Sequence, residues 1–82
     1  MEPSSSIFLT GSLAARRSAD LMLAWVDAAD DVRDAYATWL RAERAERANA
    51  FVGYRAALDR EEAAARALEL QSRVVSAWLR SS

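Results

Sequence analysis

The sequence predicts an all-α fold: two long antiparallel helices forming a helical hairpin, with a flexible N-terminal tail, assembling into a bundle with a partner or a second copy. Three observations predict it. Of 82 residues, 19 are Ala and 11 are Arg, with no Lys; Ala is the strongest helix former and Arg is close behind. Two Gly and one Pro leave little punctuation for strands and turns. Apolar residues recur at alternating steps of three and four, the period of a helix that buries one stripe.

The tail is read over residues 1–12. Met1 to Ser6 is polar and carries Pro3, and Thr10-Gly11-Ser12 is a cluster of breakers. Ile7, Phe8 and Leu9 are its only apolar run, available to dock on a partner. The hairpin domain is expected over 13–82. From Ser18 to Ala48 nothing breaks a helix. Met22, Trp25, Ala29, Val32, Tyr36 and Trp39 follow at steps of 3, 4, 3, 4, 3, a heptad seam. Leu21, Ala28, Ala35 and Ala42 flank it on one side, Val26 and Leu40 on the other. Asp20, Asp27, Asp34 and Arg41 fall on the outer face. The seam then fails at Glu43 and Glu46.

A turn is predicted at 49–53, where Asn49 and Gly53 both tolerate the left-handed conformation around Phe51; one continuous helix through Gly53 is the alternative. The second helix is read over Tyr54–Arg80. One stripe runs Leu58, Ala65, Leu68, Val75, Leu79, interrupted by Glu61 and Ser72. Another runs Ala63, Ala67, Leu70, Val74, Trp78. Folding back at about residue 51 sets Trp39 near Ala63 and Trp25 near Ala77.

Several chemistries are excluded or disfavoured. Without Cys there are no disulfides, thiolate metal sites or Cys nucleophiles, and without His no imidazole base or ligand. Asp20, Asp27, Asp30, Asp31 and Asp34 read as a solvated face, not as ligands for a hard cation. Asp59, Glu61 and Glu62 among Arg55, Arg60 and Arg66 read as a surface lattice of ion pairs, since paired carboxylates do acid–base work only in a pocket. Arg41, Arg44, Arg47, Arg55 and Arg60 could touch phosphate, but Glu43 and Glu46 neutralise them, and the net charge is −1. No catalytic residue, metal or cofactor is therefore expected, and no nucleic-acid partner. No apolar run approaches the roughly 20 residues that cross a bilayer, and no basic region precedes Ile7-Phe8-Leu9 to make a secretory signal. No membrane insertion and a cytoplasmic location follow as expectations. The all-Arg basic set suits a GC-rich bacterial genome.

Association is the function these residues favour. Two helices share one contact face, and Trp25, Val32, Tyr36, Trp39, Leu70, Val74 and Trp78 are more than one face can hide. Chains this small are marginal without disulfides, metals or association. The expected role is a non-enzymatic interaction protein or accessory subunit, with these seven residues at its interface with a protein partner or a second copy.

Phe51-Val52-Gly53, at the expected bend between two long helices, resembles the Trp-x-Gly turn of the WXG100 (ESAT-6-like) secretion substrates. The resemblance covers that tripeptide and the architecture, with Phe in place of Trp. It implies a secreted helical hairpin that dimerises. The family's Tyr-x-x-x-Asp/Glu tail has no counterpart after Tyr54.

Overall fold

A computed structural model describes the backbone of residues 3–81 and the side chains of residues 13–81. It is an antiparallel hairpin of two helices, α1 (Pro3–Arg41) and α2 (Arg47–Ser81). The described residues contain no strand and no cis peptide.

The predicted tail boundary at residue 13 is not where α1 starts. Pro3 is its first residue, a place where the fixed φ fits a helix and the missing N–H costs nothing. Thr10-Gly11-Ser12 does not stop it, since one mid-helix Gly costs only about 1 kcal/mol. Residues 1 and 2 and the side chains of Ile7, Phe8 and Leu9, where docking was expected, lie outside what is described.

The bend also differs from expectation. The chain leaves α1 after Arg41 and turns over residues 42–46, so Asn49, Phe51 and Gly53 are helical residues of α2. Three backbone hydrogen bonds make the corner. Ala42 N–H donates to the Trp39 carbonyl at 3.2 Å, Glu46 N–H to Glu43 at 2.9 Å, and Ala50 N–H to Glu46 at 3.0 Å. No residue there has positive φ, so neither Gly nor Asn is needed. The physical reason is burial. Residues 42–46 carry no large apolar side chain, so unwinding them forfeits little buried surface, and the propensity lost is a few tenths of a kcal/mol per residue. Gly53 then sits mid-helix, and a Cβ added there would meet open space. Gly53→Ala should therefore raise stability by about 0.5–1 kcal/mol, read by thermal denaturation. A loss instead would restore the left-handed turn at 53.

The two contact seams have equal length and the same rhythm. Along α1 and one residue past its end, buried and half-buried positions recur at 14, 18, 21, 25, 28, 32, 35, 39 and 42, and on α2 at 50, 54, 57, 61, 64, 68, 71, 75 and 78; half-buried Ala29, Ala37, Leu58, Ala65 and Ala67 lie beside these rows. Both run in steps of four and three, as facing helices require. Trp25, Val32 and Trp39 are in the α1 seam as expected. Their companions are Leu21, Ala28, Ala35 and Ala42; Met22 and Tyr36, expected in the seam, flank it and stay 46% and 44% exposed.

Each seam has a bulky row and a small row. Ala28 and Ala35 of α1, with Ala42 just past its end, face the α2 row Ala50, Ala57, Ala64, where small side chains let backbones approach closely. The only buried apolar residues among those described are Ala28 and Ala57, the latter 1% exposed. Two polar residues stand in the seam. Trp25 Nε1–H donates to Glu61 Oε1 at 2.9 Å, and buried Gln71 donates through Nε2 to the Ala14 carbonyl and to Ser18 Oγ, both at 3.4 Å. Polar seam residues of this kind fix register at some cost in stability. Trp25 beside Glu61 and Tyr36 beside Tyr54 centre the hairpin on the bend, about one heptad from a fold at residue 51, which shifts each residue's partner across the hairpin by about two heptads. A shift of whole heptads keeps apolar rows facing each other, which is why both registers satisfy the stripe pattern.

Candidate interaction surface

The hairpin is a rod, 65 × 17 × 13 Å. Its two long faces differ. On the front, the bulky seam rows (Trp25, Val32 and Trp39 of α1; Tyr54, Leu68 and Val75 of α2) are only half-buried. Beside them, one step further round each helix, lie Met22, Ala29 and Tyr36 of α1 and Phe51, Leu58 and Ala65 of α2. Val26 and Leu40 extend this strip along the outer edge of α1, 42% and 63% exposed. Residues 22, 26, 29, 33, 36 and 40 thus form a second heptad-spaced seam on α1, apolar except for Arg33.

Ring geometry places the two helices' front residues on the same side. Trp39 lies 6.0 Å from Tyr36, edge to face, and 5.3 Å from Phe51. Tyr54 stacks on Trp39 at 5.5 Å with the planes 12° apart, and meets Tyr36 at 5.5 Å. Such ring pairs add about 0.5–1.5 kcal/mol each beyond area burial. The four rings clamp the hairpin just above its bend, yet Phe51 and Tyr36 keep one side open to solvent.

The back face carries the alanine rows at its centre. Its α1 side is acidic, with Asp20, Asp27, Asp31 and Asp34, all exposed. Its α2 side carries Ala63, Ala67, Leu70 and Val74, with Leu70 and Val74 about 60% exposed. The seven residues singled out from sequence therefore divide. Trp25, Val32, Trp39 and Trp78 are half-buried in the hairpin's own seam, Tyr36 is at the front, and Leu70 and Val74 are at the back. They do not make one patch.

The front face contains residues the stripe reading passed over. Met22, Val26 and Leu40 read as a seam residue and its flanks; they are the exposed edge. Glu61 read as an interruption and a surface charge; it is the partner of the Trp25 indole. The steps of three and four through 54, 57, 61, 64, 68 and 71 would have placed Glu61 and Gln71 in the seam, had polar residues been admitted to it.

Other clusters offer no enclosed chemistry. Among the described residues no group of three or more acidic side chains converges as a metal site would need. Arg33–Asp30 at 3.5 Å, Arg66–Glu62 at 3.2 Å and Arg73–Glu69 at 2.7 Å are exposed pairs within one helix, each worth a few tenths of a kcal/mol. The corner leaves a hollow lined by Thr38, Arg41, Ala42, Glu43, Glu46 and Ala50, open to solvent. No helix among the described residues is long and apolar enough to cross a membrane.

The chain matches no protein-family model, no curated protein and no solved structure. Phe51-Val52-Gly53, the tripeptide that resembles a WXG100 turn, lies inside α2 and not at the bend.

Proposed function

We propose that the protein is a non-enzymatic helical association module, an accessory subunit or assembly component, and that it acts by covering its front face with another protein surface. One observation carries the reading: the hairpin exposes far more surface than its mass warrants. A compact protein of 9.1 kDa exposes about 4,900 Å², whereas this chain exposes 6567 Å². Its radius of gyration is 18.8 Å, against about 12 Å for a compact chain of this length.

The excess has a chemical character. Among the described residues eleven large apolar side chains are exposed, including Met22, Val26, Tyr36, Leu40 and Phe51 on the front strip. Burying an aliphatic or aromatic side chain of this size stabilises by about 1.5–3 kcal/mol. Contiguous apolar strips rimmed by charges mark interaction sites, and the aromatic and Met content fits interfaces. Catalysis needs a pocket that holds substrate and shifts a proton equilibrium; the charged side chains here line open helix surfaces.

The test is a double charge substitution on the front edge, Met22→Asp with Leu40→Asp. Both side chains are exposed, so helicity by circular dichroism should be retained. Association, read by sedimentation and by co-precipitation of tagged protein from its native extract, should be lost, while Asp27→Ala should leave it unchanged. A double variant that associates as well as the parent would overturn the reading.

A further inference from the structure

We infer that the front face is covered by a second copy of this chain, lying antiparallel to the first across a two-fold axis perpendicular to the rod, as a four-helix bundle. The inference rests on the association reading above and names its partner. Three observations support it: area, side-chain size and charge.

Area comes first. Two separate hairpins expose about 13,100 Å² at 6567 Å² each, while a compact protein of twice the mass exposes about 8,100 Å². Pairing can therefore bury up to about 5,000 Å² in total, the range of obligate homodimers. Among its described residues the monomer has no buried core beyond two alanines and Gln71. That is the condition in which subunits fold and pair together.

Size complementarity follows from levels along the rod. Both helices rise by about 1.5 Å per residue from a bend at 42–46, so residues of α1 and α2 can be placed on common levels. Let the axis pass beside Ala29 and Leu58, which share a level at the middle of the front strip. Then α1 lies on the partner's α1 and α2 on the partner's α2, each pair antiparallel. Ala29 and Leu58 meet their own copies at the axis. Met22 meets a second Tyr36, Leu40 meets a second Ser18, and Phe51 meets a second Ala65. Large residues oppose small or flexible ones at these levels, as interdigitating helices require. A single axis position satisfies all of these pairs, and an isologous interface demands that each occur twice.

Charge selects this arrangement over its rival. On the α2 side, the same axis sets Arg55 level with a second Glu61, which is held by Trp25, and one residue, about 1.5 Å, from a second Glu62 one heptad along the same edge, again twice. Among the described residues Arg55 has no ion pair. Glu62 is bound only by Arg66, through Oε1, in an exposed pair; its other oxygen is available to accept from a second guanidinium. The alternative two-fold, parallel to the rod, would place α1 on the partner's α2. It sets Arg33 against Arg55 at one level, which is repulsive. The back face is unsuited to self-pairing because its α1 half would bring one Asp row onto another.

The experiment uses the full chain. Sedimentation equilibrium should give a dimer at micromolar concentration. Arg55→Glu alone and Glu62→Arg alone should each weaken dimerisation at least tenfold, by placing like charges together, and the combined R55E/E62R variant should recover it. As the chain has no native Cys, Leu58→Cys should oxidise to a covalent dimer, and Val74→Cys on the back face should not. Circular dichroism confirms that each exposed-site variant is helical. A dimer indifferent to both charge changes, or one cross-linked through residue 74 and not 58, overturns this geometry. A folded monomer at all concentrations overturns the second copy as partner. If Met22→Asp with Leu40→Asp still abolishes capture of another protein in that case, the association reading survives without it.

Discussion

Trp39→Ala is expected to cost about 2–3 kcal/mol of unfolding free energy, measured by urea denaturation followed by far-UV circular dichroism. Trp→Ala in a core costs about 3–5 kcal/mol, and Trp39 is half-buried, which places it below that range. Its ring is the hub of the cluster above the bend. It touches Tyr36, Phe51 and Tyr54 at centroid distances of 5.3–6.0 Å, so truncation removes three contacts at once and leaves only Tyr36–Tyr54. A domain of this length has about 4–12 kcal/mol in total, and such a loss is a large part of it. The variant should also associate more weakly, since the front face loses its anchor. Asp27→Ala, on the exposed back, should change stability by less than about 0.5 kcal/mol. Equal effects from the two would mean that inner and outer faces of α1 are exchanged.

The fold class was legible because its determinants are local. Ala and Arg content, the scarcity of breakers and the steps of three and four are properties of short windows, and they yield two long helices directly. The bend was not legible by the same route. Asn49 and Gly53 carry strong turn chemistry, and Arg41–Asn49 is helical by propensity, so local signals place the corner in α2. The structure bends at 42–46 because seam-to-seam burial outweighs a few tenths of a kcal/mol per residue. That comparison involves both helices and cannot be made within either.

The face of α1 was half legible. Trp25, Val32 and Trp39 lie in the seam on either assignment. The second row could be Met22, Ala29, Tyr36 or Leu21, Ala28, Ala35, and a ranking by hydrophobic bulk selects the first. The structure selects the second, because facing alanine rows let two helices close on one another. The bulk is displaced to the front, which is what creates the candidate surface. The polar seam residues were hidden for a related reason. Glu61 and Gln71 interrupt a stripe in one dimension, whereas across the hairpin they meet the Trp25 indole and the Ala14 carbonyl.

That assignment makes the alanine rows the most sensitive part of the molecule. Ala57→Leu should cost at least about 1–3 kcal/mol, the range for inserting methylenes into a packed interior. Ala57 is 1% exposed and faces the row containing Ala28, so three added carbons have no room unless the helices separate. Separation would also lengthen the Trp25–Glu61 and Gln71–Ala14 hydrogen bonds, which bridge the same gap. The neighbouring Ala56 is exposed, and Leu is almost as good a helix former as Ala. Ala56→Leu should therefore be neutral within about 0.5 kcal/mol. Thermal and urea denaturation of the two variants compare one chemical change one residue apart, so propensity cancels and only the position in the seam remains. If Ala57→Leu proved as harmless as Ala56→Leu, close contact along the alanines could not be what holds the helices together, and the large residues on the front would have to be the hairpin's own core instead of its docking face.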